Sequence, residues 1–419
     1  MRQLHRIGLA VVLSLLWVGV ARAETPAKKR QVNGELSTND GLRILRVWGT
    51  PREQGFAQGY LLGADSIALL DKYLQAGGPE AIKAYEVASF LMTRSMKIEP
   101  RYKDEMEGIV AGFKARLGER IVVPALNRPL EYRDLVAVNC IPETARVGCS
   151  SVAVWGALTG DGGTIAGRNL DWFHNPALDD SQIIVARVSA DGSAAQSWVS
   201  LTWPCFVGCL TGMNAEGVTV SVHDAPGQRT TDGSKLTPRG LALREALEAA
   251  RVASAEKDIL AVLRSRTCMV GNNVPVALPY SGNGPASIVF EYDGDLEKDG
   301  GVSVRRVTGD PAKAVMQACT NHYRARSKAV DCGRYETLES DFNSAYQSSK
   351  KLDVAGAFAW LDDVAMDGRC MTYHSVVFEP NKKRMHIRLS RGKENATHSK
   401  PIVVDVGELL RPIGAASGR

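Results

Sequence analysis

The sequence has no CxxC pair and no HExxH helix, so the spacings that usually betray a metal site are missing, and no metal or other cofactor is expected. After the first twenty residues no stretch is apolar enough to cross a bilayer, which excludes a polytopic membrane protein. Neither sign of charge dominates. The formal net charge is +5, and without Arg2, Arg6 and Arg22 it falls to +2, from 48 basic against 46 acidic residues. Nothing electrostatic therefore points to nucleic acid as a partner. Internal repeats and low-complexity segments are absent. Histidines number only seven, and no suitably framed His–Asn pair of the papain type is visible.

What remains is a globular composition: 419 residues, 44% hydrophobic and 23% charged, long enough for two or three domains or one large one. Residues 1–23 read as a secretory signal. Arg2 and Arg6 form its basic end, Ile7 to Val20 an apolar run, and Ala21-Arg22-Ala23 a small-x-small cleavage pattern. A soluble, exported protein is expected, secreted or periplasmic. Its eight cysteines (140, 149, 205, 209, 268, 319, 332 and 370) make disulfides permissible there, with Cys205/Cys209 and Cys319/Cys332 as the close pairs.

Residues 24–40 are polar, and Leu42 to Gly49 reads as a strand. Thr50 and Pro51 open a helix at its cap and first position. Helical periodicity runs from Arg52 to about Ala76, with Gly55, Ala57, Gly59 and Gly63 suiting close helix packing, and continues to about Leu117. Residues 118–148 read as irregular. From Cys149 the pattern turns to strands: CSSVAVWGAL, TIAGRNLDWF, QIIVARVSA, SWVSLTW, CFVGCLTGM, GVTVSVHD, ASIVFEYDG, GVSVRRVTG, TYHSVVFEP and RMHIRLSRG. Helical segments Pro238 to Arg264 and Val354 to Val364 interrupt them. The expected class is α+β: a helical front portion, then a mostly antiparallel body.

The chemistry concentrates in Gly148-Cys149-Ser150-Ser151 through Arg168-Asn169-Leu170-Asp171-Trp172. A hairpin turning at Asp161-Gly162 sets Asp171 near position 152 and Arg168 near 155. It thus returns an acid and a guanidinium toward Cys149. Positive charge beside a thiol favours the thiolate. The same pattern also fits a structural cysteine beside a strand-end salt bridge.

The run GCSS…GGTIAGRNLDW resembles the nucleophile hairpin of the N-terminal-nucleophile cysteine hydrolases. That group includes choloylglycine hydrolase, penicillin V acylase, acid ceramidase, N-acylethanolamine amidase and the isopenicillin-type acyltransferases. Leu210 to Val218 resembles the group's G-x-N-x-x-G hairpin. Thr320-Asn321-His322-Tyr323 with Arg334-Tyr335 resembles its Asn…Arg pair, Thr372 to Pro380 its closing strand, and Gly49 to Gly59 its propeptide helix. The matches run in family order from about residue 45 to 392.

The resemblance implies a four-layer αββα sandwich and a precursor that opens its own Gly148–Cys149 bond. A helical propeptide (24–148) and a catalytic chain (149–419) would result, and the two would remain associated. Cys149 is then both nucleophile and, through its new α-amine, base. Asp171 accepts from that amine, Arg168 supplies positive charge, Asn214 and Asn321 are oxyanion donors, and Arg334 orients the nucleophile region. Structural alternatives stand beside these roles: a turn position for Asn214, a helix cap for Asn321 and an ion pair for Arg334. His322 and His374 read as packed or hydrogen-bonded histidines, and Trp172 and Tyr323 as acyl-pocket or core residues. The expected activity is hydrolysis of a linear amide C–N bond in a small-molecule acyl amide through a thioester, with acyl transfer as a variant. A phospholipase B-like lipid ester hydrolase and a non-catalytic exported binding protein are the competing readings. The Ser-Ser after Cys149 departs from the group, where Thr is frequent at the next position.

Overall fold

The computed structural model describes residues 32–118, 121–144, 148–190, 192–228, 230, 236–307 and 315–414; the expected signal segment lies outside them. Its strands in chain order are β1 (Gly34–Asn39), β2 (Leu42–Trp48), β3 (Cys149–Trp155), β4 (Thr164–Phe173), β5 (Ile183–Val188), β6 (Trp198–Thr202), β7 (Thr211–Asn214) and β8 (Thr219–Ser221). There follow β9 (His223–Asp224), β10 (Asn272–Ala277), β11 (Ser287–Tyr292), β12 (Val302–Arg306), β13 (Met316–Cys319), β14 (Cys370–Glu379), β15 (Arg384–Leu389) and β16 (Ile402–Asp405). The helices are α1 (Pro51–Ser95), α2 (Pro100–Leu117), α3 (Tyr132–Thr144), α4 (Pro176–Asp179), α5 (Arg239–Ala249), α6 (Ala255–Arg264), α7 (Gly333–Gln347), α8 (Val354–Asp362) and α9 (Val406–Leu409).

One sheet has the order β1-β2-β5-β6-β7-β8-β10-β11-β12, with β9 also paired to β10; the other runs β13-β3-β4-β14-β15-β16. Pairing is antiparallel except between β2 and β5. The apolar runs of β2 and β5 follow from burial on both faces. Leu42, Ile44, Ile184 and Ala186 share a core cluster with Val152, Val154, Val376 and Phe378 of the other sheet. Leu45, Val47, Ile183 and Val185 meet Ala57 and Leu62 of α1 instead.

Thr50 caps α1 as expected: its hydroxyl accepts from the Glu53 N–H while the Glu53 carboxylate accepts from the Thr50 N–H. Gly78 (φ 77°), followed by Pro79, breaks this long helix. The seam between α1 and α2 is backbone to backbone. A Cβ on Gly55 or Gly59 would lie 1.9–2.0 Å from the carbonyl oxygens of Glu105 and Ile109, and one on Gly108 or Gly112 would lie 2.3 Å from those of Arg52 and Phe56.

Several elements depart from the sequence reading. Residues 132–144, expected to be irregular, form α3. The supposed strand from Cys205 shrinks to β7, because the Asn139 side chain of α3 takes the N–H groups of Val207 and Gly208 that a ladder would need. Pro238 to Arg264 is two helices, and α7 has no counterpart in that reading. The two expected disulfides are absent; all eight cysteines are free. Cys205 lies beside Ser66 of α1 and Cys209 beside Ser200 of β6, in separate core clusters. Cys319 donates to the Thr320 carbonyl oxygen, and Cys332 caps α7.

Candidate active site

Cys149 is the first residue of β3 and is buried. It pairs with Leu170 across β4, and Ser151 pairs with Arg168. The expected register is therefore wrong by four residues. The connection between β3 and β4 is not a tight turn at Asp161-Gly162 but a longer loop that begins with a 3-10 turn at Gly156–Leu158. The shift carries Asp171 level with Gly148, whose carbonyl oxygen accepts from the Asp171 N–H at 3.1 Å.

Every polar atom of Cys149 is held. Its N–H donates to Asn321 Oδ1 at 2.7 Å, and its carbonyl oxygen accepts from Arg334 Nη1 at 3.0 Å. Its sulfur lies 3.7 Å from Arg168 Nη2. Arg334 also donates to Asp171 Oδ2 (3.2 Å) and Asn321 Oδ1 (2.7 Å). Asn321 in turn donates to the Asp224 carbonyl oxygen at 2.8 Å. Asp171 Oδ1 accepts from the Thr372 hydroxyl at 2.7 Å.

Alternation along β4 puts Arg168 and Leu170 on one face and Asp171 on the other. The neighbouring β14 matches this through a register irregularity at Tyr373: Thr372 faces Asp171, and His374 faces Leu170. A bulge here lets two residues only two apart serve opposite faces of the sheet. Thr372 supports the carboxylate on one side, and His374 meets Arg168 on the other.

A side chain at Gly148 would have to displace neighbouring side chains. A Cβ there would sit 2.3 Å from Met366 Sδ and 3.0 Å from Asp171 Oδ2.

Burial dominates the electrostatics. It pushes the Cys149 thiol up to about 11 in the intact chain, against the pull of Arg168. The sequence-based expectation of a thiolate favoured by Arg168 alone does not hold in this chain, because desolvation outweighs one guanidinium. Burial also raises the Asp171 carboxyl to about 6, opposed by the Thr372 hydroxyl and then by Arg334 and Arg168.

Cys149, Arg168, Asp171, Asn321 and Arg334 are brought together; Asn214 is not. Asn214 Oδ1 accepts from the N–H groups of Glu216 and Val218, and its Nδ2 donates to the Leu247 and Ala250 carbonyl oxygens, tying a hairpin to the end of α5. Its oxyanion role gives way to the turn role. Tyr323 donates to the Tyr292 carbonyl oxygen rather than facing the pocket. Thr372, Met366 and Gln182 were not singled out in the sequence; only proximity to His374 in the closing strand pointed toward Thr372.

Beside Leu170 opens a cleft of about 770 Å³, including space open to solvent, with almost entirely apolar walls. Leu70 and Tyr73 of α1 and Val138 and Ile141 of α3 form one side; Trp172, Trp203 and Phe206 stand on the other.

No family model matches the chain. Two curated Dictyostelium discoideum proteins, dcd1A and dcd1B, are 25% and 26% identical over alignments of 199 and 194 residues that cover 41% and 43% of this chain. The matches span only 42% and 38% of those proteins' own lengths. Among solved structures, the chain is similar to a Caenorhabditis elegans N-acylethanolamine-hydrolyzing acid amidase ortholog, with TM-score 0.42 and 19% identity, covering 56% of this chain and 93% of that one. It is also similar to a Clostridium perfringens conjugated bile acid hydrolase (0.39, 12%; 61% and 96%) and an Agrobacterium tumefaciens penicillin V acylase (0.37, 12%; 61% and 84%).

Proposed function

We propose that this chain is the precursor of an N-terminal-nucleophile cysteine hydrolase that cleaves the linear amide bond of an apolar acyl amide. The observation that carries the reading is the convergence on Cys149: its nitrogen, oxygen and sulfur are each held by a different side chain, immediately after a glycine whose Cβ would crowd Met366 Sδ and Asp171 Oδ2. We read the two sheets as the inner layers of an αββα sandwich, with α1, α5 and α6 on one outer side and α7 and α8 on the other.

In the maturation step the Cys149 thiol attacks the Gly148 carbonyl carbon. A C–S bond forms, the C–N bond breaks, and the thiol proton passes to the departing nitrogen. Water then hydrolyses the thioester to a Gly148 carboxylate and a free thiol. The new α-amine, with an ordinary pKa of about 7.7–8.0, serves as the base for substrate turnover. Asp171 accepts from it, and Asn321 and Arg334, which already hold the peptide group of Cys149, hold the amine region in place. The acyl chain enters the cleft beside Leu170, a thioester forms on Cys149, and the amine leaves with the proton.

Half of the residues that line that cleft precede Gly148, most of them on α1 and α3, so residues 24–148 are a permanent subunit in this reading. Incubating the processed protein with amides of acetyl, phenoxyacetyl, cholyl and palmitoyl groups tests it. A palmitoyl adduct on Cys149 by mass spectrometry, with free acid released to water or a new amide formed with added amine, is expected. Hydrolysis of the acetyl amide alone would contradict the apolar-acyl assignment.

A further inference from the structure

Arg168 is buried in the interface between the two sheets, and its side chain is held from three directions. Nη2 donates to the Val222 carbonyl oxygen at 2.9 Å and faces the Cys149 sulfur. Nη1 donates to the Thr211 hydroxyl and lies 3.0 Å from His374 Nε2, which is also 2.9 Å from that hydroxyl. On the far side of the ring, His374 Nδ1 lies 2.8 Å from Gln182 Oε1. Gln182 has no freedom to turn over, because its Nε2 donates to the Tyr373 carbonyl oxygen at 2.9 Å. An amide oxygen fixed against Nδ1 requires the proton there, which leaves the lone pair of Nε2 for the guanidinium and the hydroxyl.

We infer that His374, with its tautomer set by Gln182, is a positioning residue that holds Arg168 against the nucleophile. This rests on Cys149 being the nucleophile. The neutral ring is the form such a site favours: burial and then the charge of Arg168 hold His374 well below its ordinary pKa. The bulge at Tyr373 is what lets β14 deliver the ring to this face while Thr372 serves Asp171 on the other. A leucine in place of His374 would fill similar volume but remove the acceptor, leaving Nη1 with Thr211 alone. The guanidinium could then swing away from the sulfur, and a misplaced supporting group degrades a site without emptying it.

The test follows self-cleavage of freshly refolded full-length protein and, on the processed form, kcat and KM for a palmitoyl amide. His374→Leu is expected to slow cleavage at least tenfold and to lower kcat with KM within twofold, since the acyl cleft is untouched. His374→Gln, whose amide oxygen can accept from Arg168, is expected to recover to within about threefold of wild type. Gln182→Met, which frees the tautomer, is expected to slow cleavage at least threefold, and it carries the test if His374→Leu does not fold. Wild-type rates in folded His374→Leu or, where that does not fold, in Gln182→Met would overturn the inference; so would failure of His374→Gln to recover, or a change confined to KM. Self-cleavage that persists in Cys149→Ala would instead overturn the nucleophile assignment, which keeps the two failures distinct.

Discussion

At Asp171 burial and function pull in opposite directions. A carboxyl raised to about 6 from 3.8 makes the ionised form the costly one in the folded chain. Its stabilising contribution is fully present below about 3.8 and is lost as pH rises through about 6. Asp171→Asn is therefore expected to melt no lower than wild type at pH 7.5 while losing self-cleavage; a lower melting temperature would show that the ionised carboxylate is a net stabiliser. Charged, Asp171 anchors Arg334, which also holds the Cys149 carbonyl oxygen, so self-cleavage should fall away as pH drops through about 6. Thr372→Val removes a hydrogen bond that favours the charged form and should move the midpoint upward. A pH profile of cleavage half-times for the two proteins checks this, and a midpoint unmoved or shifted down would count against the pairing. At Gly148 even one methyl group meets Met366 Sδ, so Gly148→Val should stall cleavage at least a hundredfold unless Met366 is also shortened. Full cleavage in that single variant would show the glycine to be dispensable.

Among the elements, legibility followed how local the signal was. The cap at Thr50 and Pro51 and the small-residue helix seam were readable because both depend on neighbours in sequence. The seam's cost is also predictable. Gly59→Leu forces a side chain into the Ile109 carbonyl oxygen and should lower the melting temperature by more than 5 °C, whereas Ala64→Leu, at an exposed position of the same helix, should change it by less than 2 °C. Equal shifts would mean that α1 and α2 do not meet there. The β3–β4 register was not readable, because loop length sets it and Asp161-Gly162 looked like a two-residue turn. The bulge at Tyr373 left no mark in the sequence, although it decides which face His374 and Thr372 serve. Asn214 misled for a related reason: a glycine-bracketed asparagine suits an oxyanion donor and a hairpin turn equally, and only the carbonyls of Leu247 and Ala250 decide between them. The helix carrying Arg334 was missed, though the arginine's thirteen-residue spacing from Asn321 was not. That pair meets at 2.7 Å, and the connecting segment is tied to β11, the N–H groups of Arg324, Ala325 and Arg326 donating to the Glu291 carboxylate.

Across the whole molecule the residues before and after Gly148 are interlocked. β2 is paired into the larger sheet beside β5, and Glu105 of α2 is wholly buried between Arg187 and Arg244. Burial pushes the Glu105 carboxyl up, but the two guanidinium groups outweigh it and hold the carboxyl below its ordinary value. Removing one partner of such a buried set costs roughly 3–5 kcal/mol. Glu105→Gln should accordingly unfold at clearly lower denaturant and, in a chain cut at Gly148 as proposed, release both fragments together; an unchanged midpoint would mean that the ion pairs contribute nothing to holding the two parts. The claim beneath all of this is that the bond before Cys149 opens by the action of Cys149 itself. Intact mass and N-terminal sequencing of the folded protein beside its Cys149→Ala variant test it most directly. The account predicts a large fragment beginning Cys-Ser-Ser in the first and an uncut chain in the second. A single unbroken polypeptide that hydrolyses amides, or a cut that survives in Cys149→Ala, would contradict it.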